Sequence, residues 1–251
     1  MKAIILAAGK GTRMRPLTNT IPKPLVPLAG KPLLYHTFAA LPKEIAEVIL
    51  VIGYLGAHIQ RLCGTSYQGR KINYVTQEQA LGTAKALFLC KPFIEKNELF
   101  LVMFADDLYR QEDLSALVHY TLVRRNPNKT GLTLHGPEHP PMGAAGAMLV
   151  KEVENPRAFG VVACDVNNCV TELIEKPQNP TSNLANIGVY MLDDRVFQYE
   201  PRQHANGEYY LTDSIAQLAK HYPIIAVPAL FWIPIASPED ITKAEIDHFQ
   251  H

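Results

Sequence analysis

Hydrophobic positions along this chain follow two rhythms, and the change falls near residue 130. Before it, short β-branched apolar runs alternate with stretches whose apolar residues recur at helical spacing. Residues 3–8 form a continuous apolar run, the pattern of a strand buried on both faces. Helix is predicted over 32–40, strand over 48–52, helix over 57–63, strand over 72–75 and helix over 82–90. A strongly apolar strand over 99–104 then ends at Ala105-Asp106-Asp107. Repeated strand–helix units imply a mostly parallel sheet covered on both faces. Beyond residue 130 the units are short alternating strands, at 147–153, 159–164, 170–174 and 187–191, with turn residues between them. The Pro- and Gly-rich stretch HGPEHPPMGAAG predicts a loop. Ser237-Pro238-Glu239-Asp240 predicts a helix start, with Ser as the cap, Pro at the first position and acids in the first turn. No internal repeat and no linker is evident, so residues 1–251 are expected to form one α/β domain.

Composition narrows the class. A chain of 251 residues, 47% hydrophobic and 19% charged, can bury a full core. Its apolar runs are too short to span a bilayer. After Lys2 the chain enters the first strand with no signal-peptide cleavage site, so a cytoplasmic location without membrane contact is expected. A formal net charge of zero argues against general nucleic-acid binding. The four cysteines match neither a secreted disulfide framework nor common zinc spacing. Cys164 and Cys169 would face each other across a hairpin turning at Asn167-Asn168, although reduced thiols are the expectation.

Charge is uneven, however. Seven lysines and arginines precede the first acidic residue, Glu44. Gly9, Lys10, Gly11, Thr12, Arg13 and Arg15 lie in the loop after the first strand, and Pro22-Lys23-Pro24 follows. A polyanion at the carboxyl end of that strand explains the imbalance. Glycines without Cβ atoms let backbone N–H groups approach phosphate oxygens closely. The dinucleotide fingerprint is excluded, because the position of its third glycine holds Met14 and the ribose-binding acid is missing. No Gly-Lys-Ser/Thr closes a P-loop either.

The run from Gly9 to Pro16 with Pro22-Lys23-Pro24 resembles the signature of the sugar-1-phosphate nucleotidyltransferases. Further ordered segments extend the resemblance along the chain: Gln77 with Leu81-Gly82-Thr83-Ala84, Ala105-Asp106-Asp107, Phe159-Gly160-Val161-Val162 and Glu175-Lys176-Pro177. Residues 182–188, 207–213 and 232–240 complete it. The resemblance implies a Rossmann-like fold with a mixed, mostly parallel sheet. Residues 1–110 would handle nucleotide and 111–251 the sugar phosphate. It implies joining of a nucleoside triphosphate to a sugar 1-phosphate, with magnesium as cofactor. Arg13, Lys23 and Asp106 would be catalytic, with Asp106 the metal ligand. Ala8, Gly9, Gly11, Thr12, Arg13, Lys23, Gln77, Gly82 and Thr83 would bind nucleotide, and Gly160, Glu175, Lys176 and Asn186 the sugar phosphate. Asp107 would either cap the following segment or contact ribose. His135 and His139 are not expected to hold metal, nor does an already ionised phosphate nucleophile need an imidazole base.

One position departs from the family pattern. Two residues after the C-terminal tryptophan, where a second metal-binding aspartate is usual, stands Pro234. Magnesium commonly takes one or two carboxylates plus phosphates and waters, so Asp106 can suffice. The same loss keeps a non-catalytic nucleotide-sugar binder in view. Residues 105–108 and 180–185 are closest to bacterial UTP–glucose-1-phosphate uridylyltransferases; glucose-1-phosphate thymidylyl transfer and mannose-1-phosphate guanylyl transfer are the alternatives. No hexapeptide repeats follow, so a fused acetyltransferase is not expected, and a homo-oligomer is implied only by the resemblance.

Overall fold

A computed structural model of the protein describes residues 1–125 and 143–249. The first half runs β1 (Lys2–Ala7), β2 (Pro27–Leu28), β3 (Lys31–Pro32), α1 (Leu33–Ala40), β4 (Glu47–Ile52), α2 (Gly56–Cys63), β5 (Ser66–Tyr67), β6 (Arg70–Thr76), α3 (Thr83–Phe88), β7 (Leu99–Phe104), β8 (Asp107–Tyr109) and α4 (Gln111–Arg125). The second runs β9 (Gly146–Glu152), β10 (Gly160–Cys164), β11 (Val170–Glu175), β12 (Leu184–Asp193), α5 (Leu211–Ala219), β13 (Ile224–Pro228), β14 (Trp232–Pro234) and α6 (Pro238–His248).

Ten of these strands share one mixed sheet, with β7, β1, β4 and β6 side by side and parallel at its centre. β1 has a parallel neighbour on either side, which is why its sequence is apolar at nearly every position. Antiparallel strands continue the sheet through β12, which pairs with β7, β9 and β10. Its register shifts between Asn186 and Tyr190, where Gly188 adopts φ 76°.

Alternating side chains of the sheet feed two cores. Ala3, Ile5 and Ala7 pack with α1, α2 and α4 on one face, while Ile4, Leu6 and Ala8 pack with α3 and α5 on the other. A smaller cluster of Met14, Leu28, Leu33, Leu108, Ile235 and Ile241 seats β14 and α6 beside the first loop. The helix at 237–240 starts as expected: Ser237 caps it, and Asp240 accepts from the backbone N–H of Ala236 and Ser237 at 2.8 Å.

Predicted strands and helices in the first half match within a few residues. α4, α5 and β13 lie where the patterning assigned nothing. Most of the predicted HGPEHPPMGAAG loop, with His135 and His139, lies outside the described residues. The hairpin of β10 and β11 forms, but Cys164 packs against one core and Cys169 against the other. The two sulfurs therefore lie on opposite sheet faces instead of facing each other. Burial pushes the Cys164 thiol up to about 11. Among the described residues no helix is long and apolar enough to cross a membrane.

Candidate functional site

The carboxyl ends of β1 and β7 open into a cleft of about 750 Å³. This is where open α/β sheets collect ligands, because loops leaving neighbouring strands diverge there. Every residue given a catalytic or binding role from sequence lines it: Ala8, Gly9, Gly11, Thr12, Arg13, Lys23, Gln77, Gly82, Thr83, Asp106, Gly160, Glu175, Lys176 and Asn186; Arg15 of the basic loop does not.

At one end, the glycine loop leaves β1 and tightens into a 3₁₀ turn at Thr12–Met14, anchored by the buried Met14. Thr18 Oγ1 donates to Gly11 O at 2.7 Å and pins the loop. Pro22 and Pro24 bracket Lys23, whose side chain is almost entirely enclosed, at 8% residue exposure. Its ammonium meets Asp106 Oδ2 at 2.6 Å. Burying a lysine is costly unless its charge is answered, so this pair fixes both groups at the cleft floor.

Asp107 behaves differently from its neighbour. Its Oδ2 accepts from Trp232 Nε1 at 3.0 Å and its Oδ1 from Ile235 N at 3.1 Å. Burial, followed by the charge of Asp106, pushes its carboxyl up to about 7, against the pull of Lys23 and its two donors. Neither role considered for Asp107 from sequence, cap or ribose contact, describes these bonds, which tie β14 and the residue after it to β8. Pro234 sits opposite Asp107 in that short pairing and brings no side-chain oxygen.

Gln77 and Gly82 meet directly, through Gln77 Nε2 donating to Gly82 O at 3.0 Å. Gly82 has φ 98°, and a Cβ there would stand 2.5 Å from Tyr209 O. Thr83 turns its hydroxyl to the backbone N–H of Leu211, 3.0 Å away. At the other end of the cleft, Glu175 Oε1 lies 3.2 Å from Lys176 Nζ, and its Oε2 accepts from Thr212 Oγ1 at 3.2 Å. Lys176 carries φ 44°, unusual for a side chain of its size. Asn186 donates to Tyr190 OH at 2.7 Å and accepts from Gly188 N at 3.1 Å, so its amide orientation is set from both ends.

Several lining residues escaped the sequence reading. Tyr210 and Thr212 belong to the 207–213 motif but had no role assigned there. Outside the cleft lining, Asp113, at 5% exposure, accepts from the N–H of Leu230 and Phe231, both at 2.9 Å, and so holds the link between β13 and β14. No local signal marks it, since its partners are 117 and 118 residues away.

No three histidine, cysteine, aspartate or glutamate side chains converge among the described residues. The donor set is therefore not an all-protein metal cage. One cleft carboxylate, Asp106, facing a space lined by backbone amides and cations, suits a magnesium ion that arrives with phosphate oxygens and keeps its waters.

An α/β sheet with a cationic glycine loop at its carboxyl edge and hydrogen-bonding groups farther along the cleft defines a class that handles nucleotide phosphates. Within that class the chain belongs to the nucleotidyl transferase family, whose model matches residues 2–247. It is 36% identical to the low-salt glycan biosynthesis nucleotidyltransferase Agl11 of Haloferax volcanii, over 97% of this chain and 65% of that one. It is 32% identical to the UTP–glucose-1-phosphate uridylyltransferase AglF of the same organism, over 98% and 95%. Identity to the bifunctional protein GlmU of Methanocaldococcus jannaschii is 33% over 97% of this chain. This chain spans about half the length of that relative, 53%. Among solved structures, a UDP-glucose pyrophosphorylase complexed with UDP-glucose superposes with a TM-score of 0.80 at 25% identity, covering 98% of this chain and 97% of that one. A Bacillus anthracis protein assigned as a glucose-1-phosphate thymidylyltransferase gives 0.81 at 25%, covering 98% and 94%.

Proposed function

We propose that the protein transfers a nucleotidyl group from a nucleoside triphosphate to a sugar 1-phosphate, with UTP and glucose 1-phosphate as the favoured pair. The observation that carries this reading is the sharing of one cleft by Arg13, Lys23 and Lys176, with neutral and acidic hydrogen-bonding groups between them.

The chemical obstacle is repulsion. Each pair of like unit charges about 4 Å apart costs roughly 4 kcal/mol at an effective dielectric near 20. In the reaction, an oxygen of the sugar phosphate attacks the α-phosphorus in line. A P–O bond forms there as the bond to the β-phosphate oxygen breaks, and pyrophosphate leaves with the electron pair. The nucleophile is already ionised, so no proton need be removed. Backbone amides of Ala8, Gly9, Gly11 and Thr12 face the phosphates, and Arg13 neutralises the leaving pyrophosphate. Lys23 stands beside the α-phosphate and offsets charge that develops there. Lys176 holds the attacking phosphate, mainly an orientation effect. Gln77 presents its amide to the base, with a backbone group of Gly82 beside it; Gly160, Glu175 and Asn186 take sugar hydroxyls. Magnesium held by Asp106 and the substrate phosphates would supply further neutralisation of phosphate charge.

On this reading residues 1–110 bind nucleotide and 111–251 bind sugar phosphate, within one cytoplasmic domain. The resemblance of residues 105–108 and 180–185, together with the AglF match over nearly its whole length, supports uridylyl transfer to glucose 1-phosphate. The thymidylyltransferase neighbour keeps thymidylyl transfer as the second choice. Pro234 is the observation that favours a non-catalytic nucleotide-sugar binder, although such a binder has no use for a buried Lys23 paired with Asp106. Purified protein incubated with magnesium and each combination of UTP, dTTP or GTP with glucose 1-phosphate or mannose 1-phosphate separates these cases by pyrophosphate release. Fastest release with UTP and glucose 1-phosphate is expected. Nucleotide binding without pyrophosphate from any pair would overturn the enzyme reading.

A further inference from the structure

Helices α3 and α5 begin beside each other, and neither is capped by the side chain of the residue that precedes it, Gly82 for α3 and Tyr210 for α5. First-turn N–H groups of a helix need an acceptor from elsewhere, especially when buried. Here each helix serves the other. Tyr209 O accepts from Ala84 N at 3.0 Å in the first turn of α3, and Thr83 Oγ1 accepts from Leu211 N at 3.0 Å in the first turn of α5. Tyr209 N donates to Leu81 O at 2.8 Å and closes the join. Leu211 and Thr212 are buried, so water cannot easily replace the threonine.

From this join the contacts lead to the sugar end of the cleft. Thr212, the second residue of α5, donates to Glu175 Oε2, and Glu175 Oε1 meets Lys176 Nζ. The Thr83 hydroxyl is therefore directed at the helix that orients the sugar-phosphate groups, although the residue stands in the segment assigned to nucleotide.

We infer that Thr83 is a positioning residue for sugar 1-phosphate, its hydroxyl capping α5 so that Thr212 and Glu175 keep Lys176 in place. This rests on the nucleotidyltransferase reading of the cleft. Thr83→Val keeps the shape and removes the acceptor; Thr83→Ser restores it. Pyrophosphate release, with each substrate varied while the other is saturating, is the assay, with amide hydrogen exchange at Leu211 as an independent check on the cap. Thr83→Val is expected to raise KM for glucose 1-phosphate about 10-fold, the loss of one buried hydrogen bond, with KM for UTP within about 2-fold. Leu211 exchange should accelerate in that variant, and Thr83→Ser should resemble wild type in both readouts. A rise in KM for UTP that equals or exceeds the rise for sugar phosphate would overturn the inference, as would an unchanged sugar KM or a serine variant that fails to rescue. Absence of turnover by the wild type would overturn the parent reading first, before any variant is measured.

Discussion

Gly82 offers a sharp test of how the cleft is built. Its backbone, at φ 98° and ψ 176°, lies in a region essentially reserved for glycine, and an L side chain there costs on the order of 1–3 kcal/mol. A Cβ would also stand 2.5 Å from Tyr209 O and 2.8 Å from Tyr209 N. Both atoms are committed to hydrogen bonds, with Ala84 and Leu81, so neither can swing aside as a flexible side chain would. Overpacking against fixed backbone adds about 1–3 kcal/mol. Gly82→Ala should therefore destabilise by about 3 kcal/mol, and at this chain length lower Tm by roughly 6–12 °C. Gly9→Ala is the matched control: nothing lies within 4 Å of a Cβ there, so stability should hold within about 0.5 kcal/mol. If Gly9 lets its backbone approach phosphate, that control should instead weaken nucleotide binding. Thermal denaturation followed by circular dichroism gives both numbers. A Gly82→Ala melting point within about 1 °C of the Gly9→Ala protein would refute the reasoning.

Three further outcomes are expected. Lys23→Met removes the buried ammonium 2.6 Å from Asp106 and should lower kcat by about 10²–10³-fold; a loss under about tenfold in pyrophosphate release would remove Lys23 from the transition state. Asp113→Ala leaves the N–H groups of Leu230 and Phe231 without their acceptor and should cost about 2–4 kcal/mol in urea unfolding at constant m, whereas a cost below about 1 kcal/mol would show that β14 is held by other means. Burial lowers the pKa of His36, against its hydrogen bond to Leu28 O, so the unfolded chain takes up that proton first as pH falls. Its contribution to stability is present at neutral pH and is lost as pH drops below about 6.5 and towards the folded-state value; His36→Gln should flatten that part of the pH–stability curve, and an unchanged slope would contradict the assignment.

How far the sequence led depended on how local each cause was. The β1 run was legible because two parallel neighbours demand apolar residues on both faces, and the helix at 237–240 because its cap, proline and acids are adjacent. The cleft residues were legible as motifs, and the fold brings all of them to one cavity. What stayed hidden depends on distant partners. Asp107 could have been a cap or a ribose contact until Trp232, 125 residues on, claimed its oxygen. Reduced thiols are the expectation for Cys164 and Cys169 and both are free; only the facing arrangement fails, because one residue packs against each core. In α5, Leu211, Ile215 and Leu218 do recur at helical spacing, so that helix was legible in the pattern although no element was assigned there.

Strand β12 has a consequence for how the molecule can move. Its first residues are stitched to β10, its last to β7, and its far edge to β9 on both sides of the shift at Gly188. Asn186 thus rides on the same rail that meets the strand ending next to Asp106. Hinge rotation between the parallel half of the sheet and the strands beyond β9 would have to tear this ladder, so swinging lobes are not available to the protein as a means of closure. Selectivity must come from a mould of fixed dimensions, and any adjustment to an incoming molecule falls to the loops at its rim.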